Sequence, residues 1–362
     1  MNENEMRPAE AFSNSLRRLY REFGYETYKV SRFEEYDLYM RNRNFLKDDR
    51  LLTFTDLTGQ LMALKPDVTL SVVRSVRDED APVKVCYAES VYRVPRGENS
   101  FREIMQTGIE AIGAGDRYTQ AEVLSLAAGS LQILGKNCCL DLSDLRICQA
   151  ILEESGFEGE DARQALTAVS SKERHVLRDL CEKKEITGDR RECLDALITC
   201  SGPVEATLER FLALPLPEGA REAALELQQL MELIPGEMRS CMNLDFSVLS
   251  DMAYYSGLTF AGFVEGIPEA VLSGGCYDPL LRRLGRSSSG IGFAVYLNDM
   301  DRLNKGPASQ VDLRVRYAPD ADPARVMETV TLARRQGERV LAVLDKTVPD
   351  GQIVCEKGGK GR

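Results

Sequence analysis

Within the stretch from Tyr87 to Gly113, YAESVYRVPRGENSFREIMQTGIEAIG, three side chains carry groups suited to holding a small zwitterion. Arg93 offers a cation, Glu110 an anion, and Gln106 an amide that both donates and accepts. The pattern predicts a strand ending at Arg93, a polar turn from Pro95 to Ser100, and a returning strand that carries Gln106 and Glu110. Antiparallel pairing puts residues near the paired centre on a common face, so the three groups can converge on one ligand. That is the chemistry of an amino-acid pocket.

Other chemistries have less material to draw on. The 362 residues include one histidine, His175, in the charged run SKERHVLRD, where a solvated helix face is expected. A histidine metal site or a histidine-dependent triad is therefore disfavoured. None of the ten cysteines stands at C-x-x-C spacing, and they read as small buried hydrophobes of a reducing compartment; no metal and no cofactor are expected. A net charge of -11 weighs against a surface that grips a polyanion. With neither a membrane-length apolar run nor a signal-like N-terminus, a cytoplasmic protein is expected.

The elements that would position the pocket follow from periodicity. Phe12, Leu16, Leu19, Tyr20 and Phe23 predict an amphipathic helix over Ala9 to Phe23, ended by Gly24. Leu51 to Leu64 reads as a hairpin about Asp56 to Gly59, and Val68 to Val76 begins a helix. Tyr118 to Leu134 is helical, with Gly135 as its end. From Ser143 to Met238 the pattern is all helix and turn; strands then return, and the tail from Gln310 shows strand, helix, strand and a frayed end. The expected layout is a core in two parts, 1–142 and 239–305, a helical insertion at 143–238, and a short α/β tail at 306–362.

Four pieces stand in order along this layout: LKPDVT at 64–69, the hairpin, SDMAYYSGLTF at 250–260, and LSGGCYDPLLRRLG with IGFAVYLND at 272–299. Together they resemble the catalytic core of histidyl-tRNA synthetase, a class II synthetase, over residues 9 to 305. The resemblance implies an α+β fold, the class II antiparallel sheet flanked by helices. The tail resembles a truncated anticodon-binding domain. Lys65-Pro66-Asp67-Val68-Thr69 matches the family's R-P-E-G-T, which assigns Asp67 and Thr69 to the amino group of histidine. Gln106 and Glu110 match Q-x-G-x-E, and Tyr254 with Tyr255 matches the tyrosine pair lining the imidazole pocket. With Arg93 of the second motif, these seven make up the implied histidine-binding set.

The departures fall elsewhere. The family's G-F-A-M-G-L-E-R reads GFAVYLND at 292–299, so the arginine that stacks on ATP is Asp299. A carboxylate there repels a triphosphate. F-R-x-E reads Tyr92-Arg93-Val94-Pro95, and the arginines of R-G-L-D-Y-Y, G-G-R-Y-D and R-P-E-G-T have become Ser250, Cys276 and Lys65. Activation chemistry needs such cations. The losses resemble the synthetase-like paralogues that serve as regulatory subunits of ATP phosphoribosyltransferase in histidine biosynthesis. That resemblance implies no catalytic residues, histidine as effector, a synthetase-like dimer, and a hetero-octamer with a short catalytic subunit. No membrane or tRNA partner is expected. The alternatives are a divergent histidine-activating enzyme or short synthetase-like protein, and a binding module that engages tRNA.

Overall fold

The computed structural model describes residues 7–43, 50–76, 82–94, 99–113, 115–248, 254–298, 300 and 311–357. The chain divides into two compact units, Met1–Leu303 and Asn304–Arg362. The first opens on α1 (Pro8–Glu22), with Ser13, Leu16 and Tyr20 as its buried stripe and Gly24 at φ +82° just beyond it. Phe23, predicted to share that stripe, lies past the last helical turn and is exposed. Short β1 (Glu26–Thr27), β2 (Phe33–Glu35) and α2 (Tyr36–Arg41) follow. The hairpin of β3 (Thr53–Thr55) and β4 (Leu61–Leu64) forms as predicted. Its turn is held by Asp56 Oδ1, which accepts from the backbone N–H groups of Thr58 and Gln60 at 2.8 and 2.9 Å. With β2 it makes a small sheet of order β2-β4-β3, and α3 (Thr69–Ser75) comes next.

The long hairpin comprises β5 (Val83–Arg93) and β6 (Arg102–Ile112), paired in the register Arg93↔Arg102, Glu89↔Gln106, Tyr87↔Gly108 and Val85↔Glu110. After it runs α4 (Arg117–Leu134), whose first turn is capped by Asp116 accepting from the Thr119 N–H at 3.1 Å. Gly135 ends this helix with extended backbone, φ -168°, so left-handed geometry is not why a glycine stands there. Close packing is: a Cβ at Gly135 would meet Val264 Cγ1 at 2.5 Å.

The helical block is the crossover between two parallel strands. From β7 (Cys138–Asp144) the chain passes through α5 (Leu145–Glu154), α6 (Gly159–Ser170), α7 (Arg174–Lys183) and α8 (Gly188–Thr199). It continues through β8 (Ser201–Pro203), α9 (Val204–Leu212), α10 (Glu218–Leu233) and α11 (Gly236–Arg239) to β9 (Met242–Asp245). Because β7 and β9 pair in parallel, a long connection between them is obligatory. The strand β8, not predicted in this stretch, exists because β9 offers it an edge. His175 is exposed on α7.

Completing the main sheet are β10 (Leu258–Val264), β11 (Leu272–Cys276) and, after the short α12 (Asp278–Arg283), β12 (Gly290–Tyr296). The nine strands run β1-β5-β6-β12-β11-β10-β7-β9-β8. Pairing is antiparallel from β5 to β7 and parallel at β1–β5 and β7–β9, so the sheet is mixed at its flanks where a purely antiparallel one was expected. One face is sealed by α1 and α4, whose Leu16, Tyr20, Leu124 and Leu131 pack on Ile109, Phe260, Leu272 and Phe293. At about 1.5–3 kcal/mol per buried side chain, this layer is the main source of stability. On the opposite face a second core gathers Leu70, Val73, Tyr87, Tyr254, Tyr255, Tyr277 and Leu280. It leaves a polar pocket in the middle of the sheet.

The second unit contains β13 (Leu313–Tyr317), α13 (Pro323–Arg335), β14 (Val340–Leu344) and β15 (Ile353–Lys357), in the order β14-β13-β15. The frayed end expected here is in part β15, which pairs antiparallel with β13. Arg316 ties the sheet together through Asp345 at 2.7 Å and Glu356 at 2.6 Å. Of the ten cysteines, Cys86, Cys148, Cys181 and Cys193 are buried, five are half-buried and Cys355 is exposed, so the buried-hydrophobe reading holds for four. Among the described residues no helix is long and apolar enough to cross a membrane.

Candidate functional site

Period-two geometry builds the floor of the pocket. Tyr87, Glu89 and Arg93 of β5 share a face with Gln106, Gly108 and Glu110 of β6, and β12 adds Gly292, Ala294 and Tyr296 opposite Glu110, Gly108 and Gln106. Two glycines make the space. A Cβ at Gly108 would meet the Tyr87 hydroxyl at 2.6 Å, and one at Gly292 would overlap Glu110 Oε2. The walls come from the start of α3, from Tyr254 and Tyr255, and from Tyr277 at the head of α12.

All seven residues of the implied histidine-binding set, Asp67, Thr69, Arg93, Gln106, Glu110, Tyr254 and Tyr255, line this one cavity. Also on its walls are Tyr87, Ser273, Tyr277 and Tyr296, which motif matching did not single out. The signal for Tyr87 was available, since it shares the strand face that carries Arg93. The cavity is narrow, about 30 Å³. That is room for an ordered water; an amino acid enters only as the side chains around it give way.

Glu110 is the electrostatic centre. Its side chain is buried, Oε1 accepts the Thr69 hydroxyl at 2.6 Å, and Oε2 closes no hydrogen bond. Removal from water pushes its carboxyl up to about 8, against the opposing pull of Thr69 and Tyr277, with the Asp67 carboxylate adding to the rise. The Tyr277 hydroxyl, a neighbour of that carboxyl, is likewise buried without a well-formed hydrogen bond. Asp67 Oδ1 accepts the Leu70 N–H at 2.8 Å, which anchors the carboxylate on the first turn of α3. Burial holds the phenols of Tyr87, Tyr254, Tyr255 and Tyr277 protonated, with nearby acidic groups reinforcing the effect. They are therefore donors lining an acidic recess, with the Tyr254 and Tyr255 ring centroids 4.7 Å apart.

At the other end Arg93 lies over the Tyr296 ring, 5.6 Å from its centroid, and among the described residues it has no carboxylate within ion-pair distance. Gln106 is buried. Tyr296 and Ser273 join hydroxyls at 2.5 Å. Two residues on, Asn298 imitates a strand backbone: its Oδ1 accepts the Met105 N–H and its amide donates to the Glu103 carbonyl, both at 2.8 Å. The arrangement can take an ammonium at Glu110, Asp67 and Thr69, a carboxylate at Arg93, and an aromatic or imidazole ring among the tyrosines.

Lys65 points elsewhere. It is fully buried, and its ammonium donates to Glu89 Oε2 at 2.6 Å and to the Val30 carbonyl at 3.4 Å, outside the cavity lining. Cys276 is half-buried on β11 and also outside that lining. Pro95, Ser250 and Asp299, three of the departures from the synthetase pattern, lie outside the described residues. Among the described residues no group of three or more histidine, cysteine or acidic side chains is placed to hold a metal ion.

Comparison with known proteins agrees with this architecture. The family model described as histidyl-tRNA synthetase matches residues 1–300. An ATP phosphoribosyltransferase regulatory subunit from Caldanaerobacter subterraneus is 28% identical over 340 residues, covering 90% of this chain and 88% of its own. A solved structure from Bacillus halodurans, described as an ATP phosphoribosyltransferase regulatory subunit/histidyl-tRNA synthetase, matches with a TM-score of 0.77 at 22% identity, over 95% of this chain and 90% of that one. The ATP phosphoribosyl transferase complex from Thermotoga maritima contains a chain that matches with a TM-score of 0.62 at 18% identity, over 80% of this chain and 97% of that one. At those identities the two structures speak to the fold.

Proposed function

The chain belongs to the histidyl-tRNA synthetase family, and from that membership we propose that it is a regulatory subunit of ATP phosphoribosyltransferase rather than a synthetase. It has no aminoacylation activity of its own. It acts in the cytoplasm by joining a short catalytic subunit at the first step of histidine biosynthesis. The observation that carries this reading is the near full-length likeness to regulatory subunits of that enzyme, 90% of this chain in the example above. The pocket supports it, because the amino-acid end is assembled while the other end is filled by the chain's own Tyr296.

In this reading histidine is the effector, held by Asp67, Thr69 and Glu110 at its ammonium, by Arg93 and Gln106 at its carboxylate, and by Tyr254 and Tyr255 at its ring. The subunit pairs with a second copy as synthetases do and assembles with the catalytic subunit into a hetero-octamer. The effector needs no bond-making, only different affinities for two states of the assembly. The test is reconstitution with a short-form catalytic subunit. Stimulation of phosphoribosyl transfer that histidine reverses is the expected result. Histidine-dependent pyrophosphate exchange by the isolated chain, or no effect on the catalytic subunit, would overturn the proposal.

A further inference from the structure

Position 296 separates this pocket from the family pattern in a way that charge alone does not. In G-F-A-M-G-L-E-R the fifth place is a glycine; here it is Tyr296, whose ring projects from the last residue of β12 onto the pocket face opposite Gln106. Three contacts hold it. The hydroxyl is bonded to Ser273 across β11, the Arg93 guanidinium lies on the ring, and the Asn298 clamp on Met105 and Glu103 pins the backbone just beyond. Tyr255 lines the same cavity.

We propose that Tyr296 is a specificity-determining plug: its side chain fills the outer half of the pocket, between Arg93 and Ser273, and restricts the site to a free amino acid. A ligand whose carboxyl carries a further group, such as an adenylate, has to run that group through the space the ring occupies. This inference rests on the amino-acid-binding reading of the same pocket. Two features make the exclusion stronger than that of a mobile surface tyrosine. The Ser273 bond fixes the ring across neighbouring strands, and the cation–π contact removes the guanidinium as an open seat for a nucleobase or phosphate. The carboxylate of a free amino acid is small enough to reach the same guanidinium at its edge.

The test is titration calorimetry on the full chain with two probes, free histidine and 5′-O-(N-histidyl)sulfamoyl adenosine, a stable adenylate mimic. Wild type should prefer free histidine. Tyr296→Gly should bind the mimic at least about tenfold more tightly than wild type does. Tyr296→Ala should show a smaller gain in the same direction and serves as the second opening variant. Tyr296→Phe, which keeps the ring and loses the Ser273 bond, should exclude the mimic less strictly than wild type but more strictly than the glycine and alanine variants. The plug is overturned if wild type binds the mimic as tightly as histidine. It is equally overturned if the glycine and alanine variants, melting as cooperatively as wild type, gain nothing for the mimic. A wild type that binds neither histidine nor the mimic sinks the effector reading alone; in that case the plug is judged only on the mimic, variant against wild type.

Discussion

The two ends of the pocket have opposite hydrogen-bond economies. At the inner end Glu110 Oε2 and the Tyr277 hydroxyl are buried with no well-formed partner. At the outer end the Tyr296 hydroxyl is bonded to Ser273, Arg93 lies on an aromatic ring and Asn298 closes two backbone bonds. Buried polar groups without partners are costly and rare, so a cluster of them marks a place where something else completes the bonding. The inner end is thus poised for a ligand, and the outer end is completed by the protein itself. A site that binds an amino acid without activating it needs that asymmetry.

The largest effect is expected from neutralising the inner end. Glu110→Gln keeps the shape and the Thr69 contact but removes the carboxyl that would give up its proton to meet an ammonium. Removing one partner of such a buried pair costs about 2–5 kcal/mol, so histidine affinity should fall by about thirtyfold or more in calorimetry. Binding within threefold of wild type would mean that Glu110 does not receive the ammonium. The same variant tests the cost of the buried carboxyl. Burial lifts that carboxyl to about 8 in the fold against 4.5 for an ordinary glutamate, so the fold prefers the protonated form. The stability that protonation supplies is full below about pH 4.5 and is lost as pH rises to about 8, at about 1.4 kcal/mol for each pH unit crossed between the two values. Wild type should therefore melt lower than Glu110→Gln at pH 9, with the gap narrowing toward pH 5.

Much of the inner end was legible in the sequence because it follows local rules. A strand period of two puts Gln106, Gly108 and Glu110 on one face, and the Pro-Asp-x-Thr run starts a helix. What was not legible depends on neighbours distant in the chain. Tyr277 enters the site through its place at the head of α12 beside β12, and Ser273 through a bond to Tyr296. The mixed flanks of the sheet were hidden for the same reason: β9 is parallel to β7 only because helices α5 to α11 carry the chain back across the sheet. Gly135 looked like a left-handed helix stop but answers to Val264 of β10, which follows the whole helical block in the chain. The strand β15 is five residues of which Ile353 and Val354 alone are half-buried, too short for its pattern to speak.

A smaller effect is expected at the outer end. Arg93→Ala removes the guanidinium proposed to meet the ligand's carboxylate, but Gln106, which lines the same cavity, remains. A loss of about tenfold in histidine affinity, near 1.4 kcal/mol, is the expected result. A loss as large as that from Glu110→Gln would erase the asymmetry, because both ends would then contribute alike.

The least effect should come from restoring a residue that the synthetase pattern would call for. Lys65→Arg puts back the arginine of R-P-E-G-T, and by motif alone it ought to strengthen the pocket. The geometry says otherwise. The Lys65 ammonium is turned to Glu89 and the Val30 carbonyl, and the side chain has no exposed surface. A guanidinium placed there meets the same carboxylate and does not reach the cavity. Overpacking should lower stability by about 1–3 kcal/mol in denaturant titration, while histidine affinity stays within about threefold. An affinity gain of tenfold would show that position 65 acts on the pocket across Glu89 and Gln106, its cross-strand partner, and would move the boundary of the site outward by one ion pair.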